Sequence, residues 1–278
     1  MMLGLPCVLV SINTYFVKYK KRKIFENVPV GKIVPNLATL SALVFGMMQV
    51  RFALTSDWEH AIIMVVIAAF FDATDGRLAR LFNSCSRFGA ELDSLSDFAV
   101  FGLCPSIVIY LYSLSALNRI GWMISAFFAV CMCLRLARFN THDIENIKTP
   151  LSGKFFTGVP APAGAVLALF PIILFNAYGL EIFKNEYFCA IDVVISGFLC
   201  ISKLPTPSIK KFHIKRSQFT IFMVCSFLAI GITFAYTWKV FCTIVVLYIV
   251  SIFFCIRKMK HIIKEQSDNV YVKQITNK

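Results

Sequence analysis

Long runs of apolar residues constrain this chain more than any other feature of its sequence. Hydrophobic residues make up 58% of the 278 positions and charged residues only 15%, whereas a soluble domain has about 25% charged residues. About 20 consecutive apolar residues cross the hydrocarbon core of a bilayer, which is roughly 30 Å thick. The sequence therefore predicts an all-α, multi-pass membrane protein.

The apolar runs predict a bundle of about eight transmembrane helices. Their approximate bounds are 36–54, 60–82, 92–113, 119–140, 160–179, 188–204, 218–238 and 240–257. The sixth run is short and carries Asp192 near one end. A short turn at Trp238 and Lys239 is expected between the seventh and the eighth.

The basic residues indicate how the bundle is oriented. If both termini are cytoplasmic and the number of spans is even, nearly all of the 28 Lys and Arg lie in cytoplasmic segments. The exceptions are Arg51, Arg119, Lys184 and Lys239. Cytoplasmic loops of membrane proteins are rich in Lys and Arg. We therefore expect a protein of the cell (inner) membrane with both termini on the cytoplasmic side. Topology and anionic lipids explain the net charge of +13, and no nucleic-acid partner is expected.

We interpret the chain as one membrane domain over residues 36–260. Residues 1–35 are expected to form a basic segment at the membrane interface, and the role of residues 1–17 stays open. Residues 261–278 read as a polar C-terminal tail that is loosely ordered.

Aspartates interrupt the second and third predicted spans near their cytoplasmic ends. A charged residue in the middle of a transmembrane helix costs about 2.5–3.5 kcal/mol on insertion scales, so such residues are usually functional. Asp72 and Asp75 share one helix face because they are three residues apart. Asp93 and Asp97 are four residues apart and also share a face. A short polar loop joins the two spans, so both acidic faces should meet at the cytoplasmic end.

Four converging carboxylates would repel one another unless cations lay between them. Oxygen ligands favour Mg²⁺, Mn²⁺ or Ca²⁺ over zinc, and two such ions suit a displacement at phosphorus. Gly76 and Gly89 would allow a backbone or a nucleotide to approach closely, and Arg80 could bind a diphosphate. The alternative is that the aspartates form ordinary buried ion pairs with Arg77, Arg80 and Arg87.

Residues 72–97 resemble the signature of the CDP-alcohol phosphatidyltransferase family. They match D-x2-D-G-x2-A-R-x8-G-x3-D-x3-D at every specified position. A wider similarity to bacterial-type phosphatidylserine synthases covers roughly residues 34–212. Its main stretches are 34–39, 86–95, 134–140 and 156–163. One departure is the segment Phe-Gly-Leu-Cys-Pro-Ser at 101–106, where Phe-Gly-Val-Ala-Pro-Ala is expected.

This resemblance implies transfer of a phosphatidyl group from CDP-diacylglycerol to the hydroxyl of L-serine, giving phosphatidylserine and CMP. It implies two divalent cations, Mg²⁺ or Mn²⁺. By the same resemblance, Asp72 bridges both ions, Asp75 holds the first and Asp93 holds the second. Asp97 ligates a metal and is also the general base. The active site would face the cytoplasm.

The resemblance also assigns binding residues. Those near the CDP-lipid are Asn36, Thr39, Gly76, Ala79, Arg80, Ser86 and Gly89. Arg135, Arg138 and Lys154 are candidates for the serine carboxylate, although all three could instead be positive-inside anchors. The expected partners are CDP-diacylglycerol, L-serine, membrane lipids and a second copy of the chain in a homodimer.

Two alternatives remain open. The same chemistry could use another acceptor, namely glycerol 3-phosphate, inositol phosphate or choline. The aspartates could also form the ion site of a cation transporter. Their position at the cytoplasmic end, with no second half that repeats them, disfavours a transporter.

Overall fold

The computed structural model describes residues 30–84, 86–145, 155–202, 205–207 and 236–276. In chain order, its helices are α1 (Val30–Leu54), α2 (Trp58–Leu81), α3 (Arg87–Asp97), α4 (Cys104–Tyr112), α5 (Asn118–Glu145), α6 (Ala161–Ala168), α7 (Phe170–Tyr178), α8 (Glu186–Ile201) and α9 (Thr237–Thr276). A π-helical segment, Phe98–Leu103, joins α3 to α4, and 3-10 turns occupy Leu114–Leu117 and Glu181–Lys184. Two short strands, β1 (Phe155–Thr157) and β2 (Pro205–Pro207), pair antiparallel.

The helices confirm an all-α multi-pass membrane protein. Within the described residues, 4 helical segments are long and apolar enough to cross a membrane, and the bent pair α6–α7 raises this to 5. The 4 segments are Ile33–Leu54, Arg87–Tyr112, Leu114–Thr141 and Thr237–Cys255. The described part of the chain therefore does not confirm the predicted count of about eight. Most of the seventh predicted span, 218–238, lies outside the described residues.

Two further predicted spans depart from a plain apolar crossing. Helix α2 has 24 residues, enough to cross a bilayer, but it carries Asp72 and Asp75. Helix α8 has 16 residues, fewer than the roughly 20 that a full crossing needs. The second predicted span is thus a helix of full length that carries charges, and the sixth is a helix shorter than a full crossing.

The predicted span 160–179 is divided into two helices. The axes of α6 and α7 are bent by 54°, and the break falls at Leu169. Pro171 lies in the first turn of α7. It has no N–H with which to continue the hydrogen bonds of α6, and its ring clashes with a preceding carbonyl. The proline therefore explains the break.

The third predicted span changes its helical winding directly after Asp97. The π-helical segment Phe98–Leu103 begins there, and segments of this kind are frequent at functional sites. Gln49 of α1 is fully buried, and its Nε2 donates a 3.0 Å hydrogen bond to the carbonyl of Val100. Helix α1 thereby supports the π-helical segment that follows Asp97.

The C-terminal region is more helical than the sequence indicates. Helix α9 begins at Thr237, so Trp238 and Lys239 lie in its first turn and do not form a turn between two helices. The same helix continues to Thr276, so the backbone of most of residues 261–278 is helical. No proline or glycine follows Thr237, and an existing helix extends at little cost.

Helix α1 contacts both helices that carry the aspartates. It packs along α2 and also contacts α3, the π-helical segment and α4. The closest approach is at Gly46, where an added Cβ would lie 2.8 Å from Cγ2 and 3.2 Å from Cα of Val100. A glycine at this position lets α1 lie against the π-helical segment.

Gly46→Ala is expected to destabilise the fold by about 1–3 kcal/mol, because overpacking forces a well-packed backbone to move. Thermal unfolding in detergent micelles should give a lower Tm than the wild type. The matched control is Gly76→Ala in α2, since a Cβ there would meet nothing within 4 Å. Equal Tm values for the two variants would contradict the close packing of α1 on the π-helical segment.

Candidate active site

Three of the predicted aspartates come together where α2 faces α3. One carboxylate oxygen from each of Asp72, Asp75 and Asp93 lies within 4.8 Å of the other two. Metal–oxygen bonds of Mg²⁺ and Ca²⁺ are about 2.0–2.6 Å long, so oxygens at this separation can share one ion. The helical spacing of the aspartates thus results in a group of side chains with the geometry of a cation site.

Asp97 joins this group through Asp72. The carboxyl groups of Asp97 and Asp72 are close enough to interact directly. Asp97 is the last residue of α3 and lies one helical turn beyond Asp93. The guanidinium of Arg135, in α5, is within electrostatic range of Asp97. Asp97 therefore lies next to the group of three carboxylates and interacts with both α2 and α5.

A single residue of α1 connects the two acidic helices. Thr39 Oγ1 lies 2.7 Å from Asp75 Oδ2, to which it donates a hydrogen bond. The carbonyl of Thr39 in turn accepts a 3.2 Å hydrogen bond from Ser96 Oγ of α3. All three residues are buried. Helix α1 thus fixes the position of Asp75 relative to α3.

A pocket of about 320 Å³ opens beside the carboxylates. It is lined by all of the residues that the family resemblance assigns to the CDP-lipid: Asn36, Thr39, Gly76, Ala79, Arg80, Ser86 and Gly89. Asp75 and Asp93 also line it, so the pocket and the carboxylate group are continuous. Its volume is within the range of ligand pockets, about 300–1,000 Å³.

The pocket also has lining residues that the sequence did not single out. These are Pro35, Ser84 and Ala90. Ser84 and Ala90 lie within unspecified spacers of the signature, and Pro35 and Ala90 lie within the stretches 34–39 and 86–95 that resemble phosphatidylserine synthases. Ser84 is buried, and its Oγ is 3.4 Å from the carbonyl of Ala79.

The start of α3 faces this pocket. Ser86 caps the helix, and its Oγ accepts a 3.0 Å hydrogen bond from the backbone N–H of Gly89. A Cβ at Gly89 would lie 3.2 Å from that oxygen and 3.3 Å from Oδ1 of Asn36. The N-terminus of a helix carries a partial positive charge and suits anions such as a diphosphate.

The arginines near the aspartates do not neutralise them. Arg80 is exposed, and its Nε donates a 3.0 Å hydrogen bond to the carbonyl of Gly76. In the part of the chain that the structure describes, no ion pair joins the four aspartates to Arg77, Arg80 or Arg87. The alternative of ordinary buried ion pairs is therefore not what the structure has.

The two arginines considered for the acceptor have different surroundings. Arg138 donates from Nη1 and Nη2 to two backbone carbonyls at the end of α8, at 2.7 and 3.4 Å. It therefore satisfies carbonyls that a helix C-terminus leaves unpaired. Arg135 donates from Nε to the carbonyl of Val159, at 2.5 Å. Lys154, the third candidate, lies outside the described residues.

Comparison with known proteins agrees with the signature. A sequence profile of the CDP-alcohol phosphatidyltransferase family matches residues 32–250. A Helicobacter pylori (strain ATCC 700392 / 26695) protein named CDP-diacylglycerol–serine O-phosphatidyltransferase is 36% identical over 192 residues, 69% of this chain and 79% of that protein.

Two relatives with the same name extend this result. The one from Mycobacterium bovis (strain ATCC BAA-935 / AF2122/97) is 30% identical over 236 residues, 82% of this chain and 80% of the relative. The one from Bacillus subtilis (strain 168) is 32% identical over 179 residues, 64% of this chain and 92% of the relative. The matched region contains the whole pocket and the four aspartates. The chain therefore belongs to the CDP-alcohol phosphatidyltransferase family of membrane enzymes.

Proposed function

We propose that this protein transfers the phosphatidyl group of CDP-diacylglycerol to the hydroxyl of L-serine, giving phosphatidylserine and CMP in phospholipid biosynthesis. The observation that carries the proposal is the continuity of the carboxylate group with the pocket, since Asp75 and Asp93 belong to both. The choice of serine rests on the activity after which the relatives from Helicobacter, Mycobacterium and Bacillus are named.

The donor set fits two hard divalent cations, Mg²⁺ or Mn²⁺. Carboxylate oxygens are the ligands that such ions prefer, and three of them lie within 4.8 Å of one another. Asp72 would bridge the two ions, Asp75 would hold the first and Asp93 the second, with Asp97 as a further ligand. Bound there, the cations would offset the negative charge of the diphosphate and of the departing CMP.

Asp97 is proposed as the general base. The serine hydroxyl gives its proton to the Asp97 carboxylate, and the serine oxygen forms a bond to the phosphatidyl phosphorus. The bond from that phosphorus to the CMP oxygen breaks, and CMP leaves with the electron pair. A general base must lie within hydrogen-bond reach of the hydroxyl. The proximity of Asp97 to Asp72, and its electrostatic interaction with Arg135 of α5, support this role.

The remaining pocket residues would bind the CDP-lipid. Arg80 and the capped N-terminus of α3 suit the diphosphate, because each offers positive charge and N–H donors. An added Cβ at Gly76 meets open space, which leaves room for the nucleotide beside α2. The distribution of Lys and Arg supports a pocket that faces the cytoplasm of a cell (inner) membrane. A homodimer is proposed from the family resemblance.

Release of CMP by the purified protein tests the proposal. CDP-diacylglycerol and Mn²⁺ are supplied with L-serine, and in separate reactions with glycerol 3-phosphate, inositol phosphate or choline. We expect release above the hydrolysis background with serine alone, and loss of release when EDTA removes the metal.

Each contrary outcome has a distinct meaning. Release with another acceptor and none with serine would overturn the assignment of serine. No release with any acceptor would overturn the proposed reaction. Metal flux into proteoliposomes without turnover of CDP-lipid would favour the transporter alternative.

A further inference from the structure

We infer that Tyr248, in α9, determines acceptor specificity by binding the carboxylate of serine together with Arg135. The inference deepens the proposed function and rests on it. Nothing in the signature points to this residue, which lies more than a hundred positions after Asp97, the last residue of the signature. It becomes visible when the last helix is packed against the rest of the bundle.

The hydroxyl of Tyr248 is buried without a hydrogen-bond partner among the described residues. Leaving a buried polar group unpaired costs free energy, and in native proteins such groups usually have a partner in the protein, in water or in a ligand. Tyr248 lies within electrostatic range of Arg135 and of Cys200. Its hydroxyl is thus an unpaired hydrogen-bond donor within electrostatic range of a cation.

Arg135 has donors to spare in the described structure. Its hydrogen bond to the carbonyl of Val159 uses Nε, which is one of the five N–H donors of a guanidinium group. This bond fixes the orientation of the group. Within the described residues it engages Nε and neither Nη1 nor Nη2, which we assign to a ligand. Arg138 differs, because both of its terminal nitrogens are bound to carbonyls at the end of α8.

The chemistry of this pair matches a carboxylate. The two terminal nitrogens of an arginine can bind both oxygens of a carboxylate at once, and the tyrosine hydroxyl adds a third donor. Arg135 is within electrostatic range of both Tyr248 and Asp97. A small acceptor held by its carboxylate at Arg135 would therefore have its hydroxyl on the side of the proposed base. An acceptor without an anionic group would lack this attachment.

Helix α9 is held where this role requires it. It contacts β2 and α7, and β2 is paired with β1, which leads into Val159, the residue bound by Arg135. The strand pair and the arginine thus join the last helix to the region around α5. Tyr248 also lies within the stretch matched by the family, residues 32–250.

Tyr248→Phe tests the inference, because it removes the hydroxyl and keeps the ring. We expect the KM for L-serine to rise about tenfold, as for loss of a hydrogen bond to a charged group, with the KM for CDP-diacylglycerol unchanged. The matched control is Tyr112→Phe in α4, which also removes a buried, unpartnered hydroxyl. Tyr112 packs between the rings of Trp58 and Phe175, so its variant should keep both KM values.

A double-mutant cycle adds a readout that a purely structural role would not change. If Tyr248 and Arg135 bind the same carboxylate, Tyr248→Phe should raise the KM for serine less in an Arg135→Gln background than in the wild type. Tyr248→Met, which also removes the hydroxyl while filling the space with a flexible apolar side chain, replaces Tyr248→Phe if that variant does not fold.

The wild type separates the two ways in which this test can fail. If the wild type does not release CMP with serine, the proposed function is wrong, and the inference is wrong with it. If the wild type uses serine and the Tyr248 variants keep its KM for serine, the inference is wrong and the proposed function stands. An equal rise in both KM values would likewise overturn a role specific to the acceptor.

Discussion

Asp97→Asn is expected to lower the rate of CMP release by about 10²–10⁴-fold, the usual contribution of a general base. Asparagine keeps the shape of the side chain but cannot accept the proton of the serine hydroxyl. Asp97 ends α3 and reaches the other carboxylates through Asp72, so the substitution leaves Asp72, Asp75 and Asp93 in place. Single-turnover measurements at saturating serine would isolate the chemical step from acceptor binding.

The matched control for this variant is Glu91→Gln. Glu91 is an exposed acidic residue on the same helix and does not line the pocket, so its loss of charge should leave the rate unchanged. Equal Tm values for the two variants would show that neither alters the fold. Turnover by Asp97→Asn within about tenfold of the wild type would remove Asp97 from the role of base.

The aspartate group could be predicted from the sequence because its geometry is local. Residues three or four apart share a helix face, and a short loop forces two such faces to meet. The same reasoning applies to the CDP-lipid pocket, since the start of α3 and the end of α2 lie on either side of that loop. Asn36 and Thr39 were available from the family resemblance alone, because they lie on a different helix.

Contacts between remote helices could not be predicted in the same way. The hydrogen bond from Thr39 to Asp75, and that from Arg138 to the end of α8, depend on how helices pack, which no periodicity encodes. Arg135 and Arg138 look alike in the sequence. In the structure Arg138 caps the end of α8, whereas the hydrogen bond of Arg135 to Val159 uses only Nε. Pro171 predicts a break in principle, but a run as apolar as 160–179 reads as one span.

The second large effect on the rate of CMP release is expected from substitution of a metal ligand. Asp93→Asn is expected to lower the rate of CMP release by about a thousandfold, because a bound cation contributes several kcal/mol of stabilisation to the transition state. Asp93 is the member of the group that α3 supplies to Asp72 and Asp75 of α2. Without its charge, the two cations would lose the ligand proposed for the second of them, so affinity for Mn²⁺ should fall.

Mn²⁺ binding distinguishes this loss from that of the base. Titration followed by electron paramagnetic resonance should show weaker binding in Asp93→Asn than in Asp97→Asn, which keeps the three carboxylates that lie within 4.8 Å of one another. Raising the Mn²⁺ concentration should restore part of the activity of Asp93→Asn, since mass action can offset a weaker site. It should restore much less of that of Asp97→Asn, because added metal can offset a lost ligand but cannot replace a proton acceptor. Wild-type Mn²⁺ affinity in Asp93→Asn would show that Asp93 does not hold the metal, and the set of ligands proposed here would be wrong.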